Sequence, residues 1–329
     1  MKTIFSLFQN LEKNHTAIEN GFNIAALPFV ETHKIGISEN GLPMFFIKCK
    51  DVSSVDSLDC NFDLISVQFY RDCQLFENKQ KISQGIYTVI SLKADSLQLQ
   101  EYFVNIVALV LKRLAPNPSP KSVKLEVETL ISLFNQGTKP PRQTIQGLWS
   151  ELLVIERATD PEYMIKAWHS SPRDKYDFND GTDKLEVKST SGVKRIHSFS
   201  SEQLSPNKAS RLCVASVFAV ETGTGKTLFD LIRAIEKRVK GEDLLIRLNE
   251  IVTQTLGESM EKAFKMHFDY QLGVDSIGFY DAASIPKIAP QNIPAQLSNV
   301  HFDCDLSSTT PITHKMIKEQ LYRSAFPKA

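Results

Sequence analysis

A chain of 329 residues with 38 basic and 38 acidic side chains has no net charge, so no global field draws it to nucleic acid or to a membrane surface. Its 42% apolar and 23% charged content is that of an ordinary soluble protein, long enough for two domains or one large one. Five scattered cysteines (Cys49, Cys60, Cys73, Cys213, Cys304) without a C-x-x-C pair argue for a reducing cytoplasm and against structural zinc.

Residues 1 to about 20 read as a polar helix, and the apolar start, interrupted from Gln9 to Lys13, is too short for a signal peptide. The longest apolar run, 106–111, is far below spanning length, which predicts a soluble, cytoplasmic protein without a membrane partner. Strands are predicted at 35–38, 43–49, 62–70 and 86–92, with Gly41, Asn78 and Gly85 as breakers. A helix follows over 95–114, with Asp95 or Ser96 as N-cap. The run Pro116-Asn117-Pro118-Ser119-Pro120 then marks the predicted boundary between a β-rich accessory domain (1–115) and a second domain (121–329).

A second helix is expected over 121–136, closed by Gly137 to Pro141, and a third over 143–158. The third helix carries Glu151 among Gly147, Leu148, Val154 and Ile155 at helical spacing. An acid in that setting is costly unless it is paired or bound to a cation. Glu156, near Thr159 and Asp160, reads as solvated.

Lys184 to Thr190 alternates as a strand should, with Leu185 and Val187 on one face and Glu186 and Lys188 on the other. Upstream, Tyr176-Asp177-Phe178 reads as a strand end, and Asn179-Asp180-Gly181 is turn chemistry that tolerates positive φ. The resulting hairpin returns Asp177 beside Glu186. Two acids for a hard cation and a lysine beside them suit a metal-dependent phosphodiesterase. By contrast, Glu77-Asn78-Lys79 has the same E-x-K spacing in a polar loop with no partner acid.

A strand over 194–200 and a turn over 201–204 follow, then a strand over 212–220, apolar throughout except Ser216 and so buried on both faces. Thr222-Gly223-Thr224-Gly225-Lys226-Thr227 imitates a phosphate-binding loop, but Val220 stands where that motif needs glycine. Helices are expected over 228–239 and 244–256, a loop over 285–294, a strand over 300–306 and a closing helix over 314–323. Trp149 and Trp168 read as core residues, and His197 as structural.

Several segments recur in a known order: Gly147 to Leu152, Ala167-Trp168, Tyr176 to Phe178, Leu185 to Thr190 and Ser200 to Leu204. Together they resemble the PD-(D/E)xK motif protein family of bacterial defence islands, within the PD-(D/E)xK nuclease superfamily, with Tyr176 in place of the motif's proline. The resemblance implies a restriction-endonuclease-like αβ sandwich with an N-terminal β-rich accessory domain. It further implies a Mg2+-dependent DNA endonuclease, with Mn2+ able to substitute, in a bacterial anti-phage or restriction system. Asp177, Glu186 and Glu151 would hold the metal, Lys188 would be catalytic, and Gln203 would position substrate. DNA is the implied partner, with ATPase or helicase subunits of a defence system beside it and room for a homodimer. Between Lys166 and Arg211 nine Lys/Arg against six Asp/Glu make the neighbourhood locally basic. The alternative is a non-catalytic DNA- or partner-binding subunit that retains the nuclease fold.

Overall fold

The computed structural model describes residues 3–14, 18, 21–50, 59–78, 80–136, 144–169, 175–206, 210–313 and 317–327. Lys79 of the second E-x-K, the helix-closing run 137–141 and the first residues of the expected closing helix lie outside them. The chain forms two compact units, residues 1–140 and 141–329. Among the described residues no helix is long and apolar enough to cross a membrane.

In the first unit, α1 (Ile4–Lys13) starts at Thr3, whose side chain accepts the Ser6 N–H. The strands β1 (Phe22–Leu27), β2 (Val30–Ile37), β3 (Pro43–Lys48), β4 (Cys60–Asn61), β5 (Ile65–Glu77) and β6 (Gln80–Leu92) form one sheet in the order β1-β2-β3-β6-β5-β4. Phe22 and Asn23 of β1 also pair in parallel with Leu75 and Phe76 of β5, so the sheet curls back on itself and covers an open edge. Register shifts in the long β5–β6 pair, one of them at Tyr70 with φ 55°, supply the bend this requires.

Two helices complete this unit, α2 (Leu97–Leu111) and α3 (Pro120–Gln136). Phe103 of α2 meets Phe45 at 5.9 Å between ring centroids, and Phe134 of α3 meets Phe103 at 5.5 Å. The proline-rich run at 116–120 is therefore a turn within this unit. Pro118 O accepts the Lys50 N–H, and Pro120 opens α3, where a missing N–H costs nothing. The unit ends at Pro140 because α3 buries Val123, Val127, Leu130, Leu133 and Phe134.

The second unit begins with α4 (Ile145–Arg157), N-capped by Thr144, and α5 (Pro161–Ala167), N-capped by Asp160. After them come β7 (Phe178–Asn179), β8 (Lys184–Thr190), β9 (Ile196–Ser200), β10 (Leu212–Phe218) and β11 (Glu221–Thr222). The helices α6 (Leu228–Glu236), α7 (Glu242–Leu256) and α8 (Met260–Lys265) lead to β12 (His267–Phe268). The chain then forms α9 (Tyr270–Ser276), β13 (Gly278–Asp281), β14 (His301–Asp305) and α10 (Gln320–Ala325). Their central sheet runs β13-β10-β8-β7, with β8 and β10 parallel, while β9 and β14 form a separate antiparallel ribbon.

Burial on both faces explains why β10 is apolar throughout. Leu212 and Val214 join Phe199, Leu204, Cys304 and Leu306 in the core beneath the ribbon, while Cys213, Ala215 and Val217 are buried on the opposite face. Because Val214 pairs with Glu186 and Ser216 with Lys188 in parallel register, Glu186 and Lys188 share the ribbon face of the sheet. Leu185 is fully buried on the other face, but Val187 is only half-buried, so the expected apolar pair is one core residue and one rim residue.

The Gly-rich imitation loop has a structural use. Glu221 and Thr222 pair with Phe268 and His267, and Lys226 exchanges backbone hydrogen bonds with Phe268. Thr227 caps α6 in a capping box with Asp230. The Lys226 ammonium sits 3.2 Å above the Tyr270 ring centroid, and Trp149 Nε1 donates to Lys226 O.

Candidate metal and catalytic site

The hairpin places the acids. Phe178 pairs with Leu185 and Asn179 with Lys184, and Gly181 takes the positive φ of 96° that the turn requires. Asn179 and Asp180 tie the turn by accepting backbone N–H groups from Gly181 to Asp183. Since β7 is two residues long, it leaves β8 unpaired on that side from Glu186 onward. Asp177 fills the gap, its Oδ2 accepting the Val187 N–H at 2.7 Å.

Glu151 projects from α4, which packs against β8, α6 and α9. It is 2% exposed, and its Oε2 accepts from Trp168 Nε1 at 2.6 Å and lies 3.1 Å from His169 Nε2. Trp168 is thus a core residue, as its sequence context suggested, and it also orients an acid. His169 was not singled out by the sequence reading. Its N–H donates to Asp177 O at 2.8 Å, which lays it alongside the strand that carries Asp177. Glu151, His169 and Asp177 each offer a ligand atom within 4.8 Å of the others. The signal that could have found His169 is its place directly after Trp168 in the ordered segment series.

Glu186 stands across the hairpin from Asp177 and is 5% exposed. Its Oε1 accepts from Gln203 Nε2 at 2.8 Å and pairs with Lys188 Nζ at 2.9 Å. Gln203 completes the triangle, because its Oε1 accepts the Ser200 N–H and lies 3.4 Å from Lys188 Nζ. The Lys188 ammonium also rests 5.3 Å from the Phe199 ring centroid. Asp177, Glu186, Glu151, Lys188 and Gln203 are therefore neighbours, joined by His169.

Electrostatics make this pocket strained without a cation. Burial raises the Asp177 carboxyl well above its ordinary range, and the charges of Glu151 and Glu186 push it further. Glu186 is raised for the same leading reason, with Lys188 opposing. Glu186 Oε2 is buried and has no hydrogen-bond partner among the described residues. Oxygen donors that repel one another, together with an orphaned carboxylate oxygen, fit a hard divalent cation.

Two sequence expectations are settled elsewhere in the unit. Glu156 is not solvated. It is 9% exposed, and the Tyr270 hydroxyl donates to its carboxylate at 3.0 Å, because α4 is buried on every side and offers no wet face. His197 is structural, with Nε2 2.7 Å from Ser216 Oγ and its pKa lowered to about 4 by burial.

A mixed α/β unit that gathers acids and a lysine around a short hairpin at a sheet edge has a nuclease-like fold. The family model described as "Putative PD-(D/E)XK family member, (DUF4420)" matches residues 6–307, and the chain belongs to that family. No curated protein and no solved structure matches it.

Proposed function

We propose that this protein is a metal-dependent phosphodiesterase that hydrolyses DNA, with Mg2+ as its ordinary cation and Mn2+ able to substitute. The observation that carries the reading is the gathering of Asp177, Glu151 and His169 within 4.8 Å of one another, with Glu186 close enough for its charge to act on Asp177 and a lysine held by Glu186 and Gln203. Glu186 Oε2, buried and without a hydrogen-bond partner among the described residues, is a further oxygen that such a cation could satisfy.

A divalent cation bound by Asp177, Glu186 and Glu151 would supply Lewis-acid polarisation of a phosphate and a lower pKa for water. Lys188, held by its Glu186 and Gln203 contacts, would offer its ammonium to the negative charge that grows on the phosphorus. Gln203 holds Glu186 through one amide atom and Lys188 through the other, so it is a positioning residue. The locally basic stretch around the hairpin favours a polyanion, and the family resemblance is what supports a role in anti-phage defence beside ATPase or helicase partners. The first unit would then serve as an accessory domain.

The test is cleavage of supercoiled, linear and modified DNA by the purified protein with Mg2+, with Mn2+ and with a chelator. Metal-dependent nicking is expected. DNA binding without cleavage under every metal would instead establish the non-catalytic subunit.

A further inference from the structure

We propose that His169 is a nitrogen ligand of the catalytic cation and raises the site's affinity for Mn2+ more than its affinity for Mg2+. The proposal rests on the metal-dependent reading above. Three features of the pocket carry it. A ring nitrogen of His169 lies within 4.8 Å of ligand oxygens from both Glu151 and Asp177, a spacing that one ion can span. Nε2 is the atom turned to Glu151, at 3.1 Å, so it faces the carboxylates. The Oε2 of Glu186, buried and without a hydrogen-bond partner among the described residues, is a further oxygen near the same two acids that a cation would satisfy.

The backbone holds His169 in this place. Its N–H donates to Asp177 O, and its carbonyl accepts from Arg247 at 3.2 Å. It adopts φ 40°, a left-handed conformation uncommon for a residue with a side chain. The ring is 29% exposed, so exchange of an ion with solvent is open.

The chemistry decides the preference. Mg2+ favours oxygen ligands and parts with water reluctantly. Mn2+ is a transition-metal ion that accepts an imidazole nitrogen at less cost than Mg2+ does, so an oxygen set with one nitrogen gains more affinity for Mn2+ than for Mg2+. As a ligand His169 would present the Nε2 lone pair to the ion in place of its contact with Glu151.

The test uses full-length protein freed of metal and titrated with Mn2+ alone, then with Mg2+ alone. Pulsed EPR of the Mn2+ form should show hyperfine coupling to a directly bound 14N nucleus. His169→Asn tolerates the left-handed backbone and removes the imidazole, so it should remain folded by circular dichroism. That variant should lose the 14N coupling and about 10-fold or more in Mn2+ affinity, while Mg2+ affinity changes far less. Mn2+ bound without nitrogen coupling, or coupling that persists in His169→Asn, overturns this assignment and leaves the oxygen site intact. Failure of the wild-type protein to bind either ion overturns the metal-dependent reading together with it.

Discussion

The Asp177 carboxylate accepts the Val187 backbone N–H at 2.7 Å, so one side chain both completes the edge of β8 and supplies an acid to the pocket. The two roles pull in opposite directions. Folding sets the half-buried Asp177 between Glu151 and Glu186, and desolvation together with their charges raises its pKa.

Asp177→Asn separates them, since the amide oxygen still accepts from Val187 while the charge is gone. The raised carboxyl contributes stability that is fully present below its ordinary value of 3.8 and is lost as pH rises through the folded value. In chelator at pH 7 the variant should therefore melt higher than wild type, with the difference shrinking toward pH 4 or so. Adding Mg2+ should raise the wild-type Tm and leave the variant's nearly unchanged. A lower Tm for Asp177→Asn in chelator would contradict the strained-pocket account.

Gln203→Ala removes the link between Glu186 and Lys188 without opening the core, because its amide contacts are polar. Cleavage should slow by about 10- to 100-fold through kcat, with KM for DNA little changed and metal affinity weakened. Wild-type kcat in this variant would show that the Glu186–Lys188 pair holds itself.

Lys226→Ala tests the imitation phosphate loop. Loss of the cation–π contact over Tyr270 should lower stability by about 1–2 kcal/mol in denaturant unfolding. Nucleotide affinity should be absent before and after the change. ATP binding that vanishes with Lys226 would restore the loop as a nucleotide site.

Acid should unfold the protein through its buried imidazoles. Burial lowers both His33 and His197 from 6.5 to about 4, so the unfolded chain takes up these protons first. Their contribution is present above pH 6.5 and is lost as pH falls toward 4. His197→Gln should flatten the fall of Tm across that window, and an unchanged slope would remove His197 from the account.

The sequence made the hairpin legible because turn chemistry and strand alternation are local signals. Asp177, Glu186 and Lys188 could thus be placed from about a dozen residues. Glu151 was legible for a different reason, an acid at helical spacing among apolar neighbours. Glu156 misled for lack of the same context. Its burial depends on Tyr270, distant in sequence, and no local pattern records that. His169 was missed because its position depends on a backbone bond to Asp177 across an irregular segment. The prolines at 116–120 were strong punctuation, but punctuation marks a turn. Only the packing of α3 on α2 shows which unit the helix joins.

The most direct test of the central claim is the cleavage rate of Lys188→Ala with Mg2+, measured beside its DNA affinity. The Lys188 side chain is the cation of the buried Glu186, so truncation strands that carboxylate and should lower the Tm, and cleavage is compared at a temperature where circular dichroism shows the variant folded. Removing one cation should weaken DNA binding only modestly, whereas the charge that Lys188 faces grows in the transition state. The account predicts a folded protein that still binds DNA and no longer cleaves it. Cleavage at the wild-type rate with the same metal would show Glu186 and Lys188 to be an ordinary ion pair on a strand and would contradict the nuclease reading.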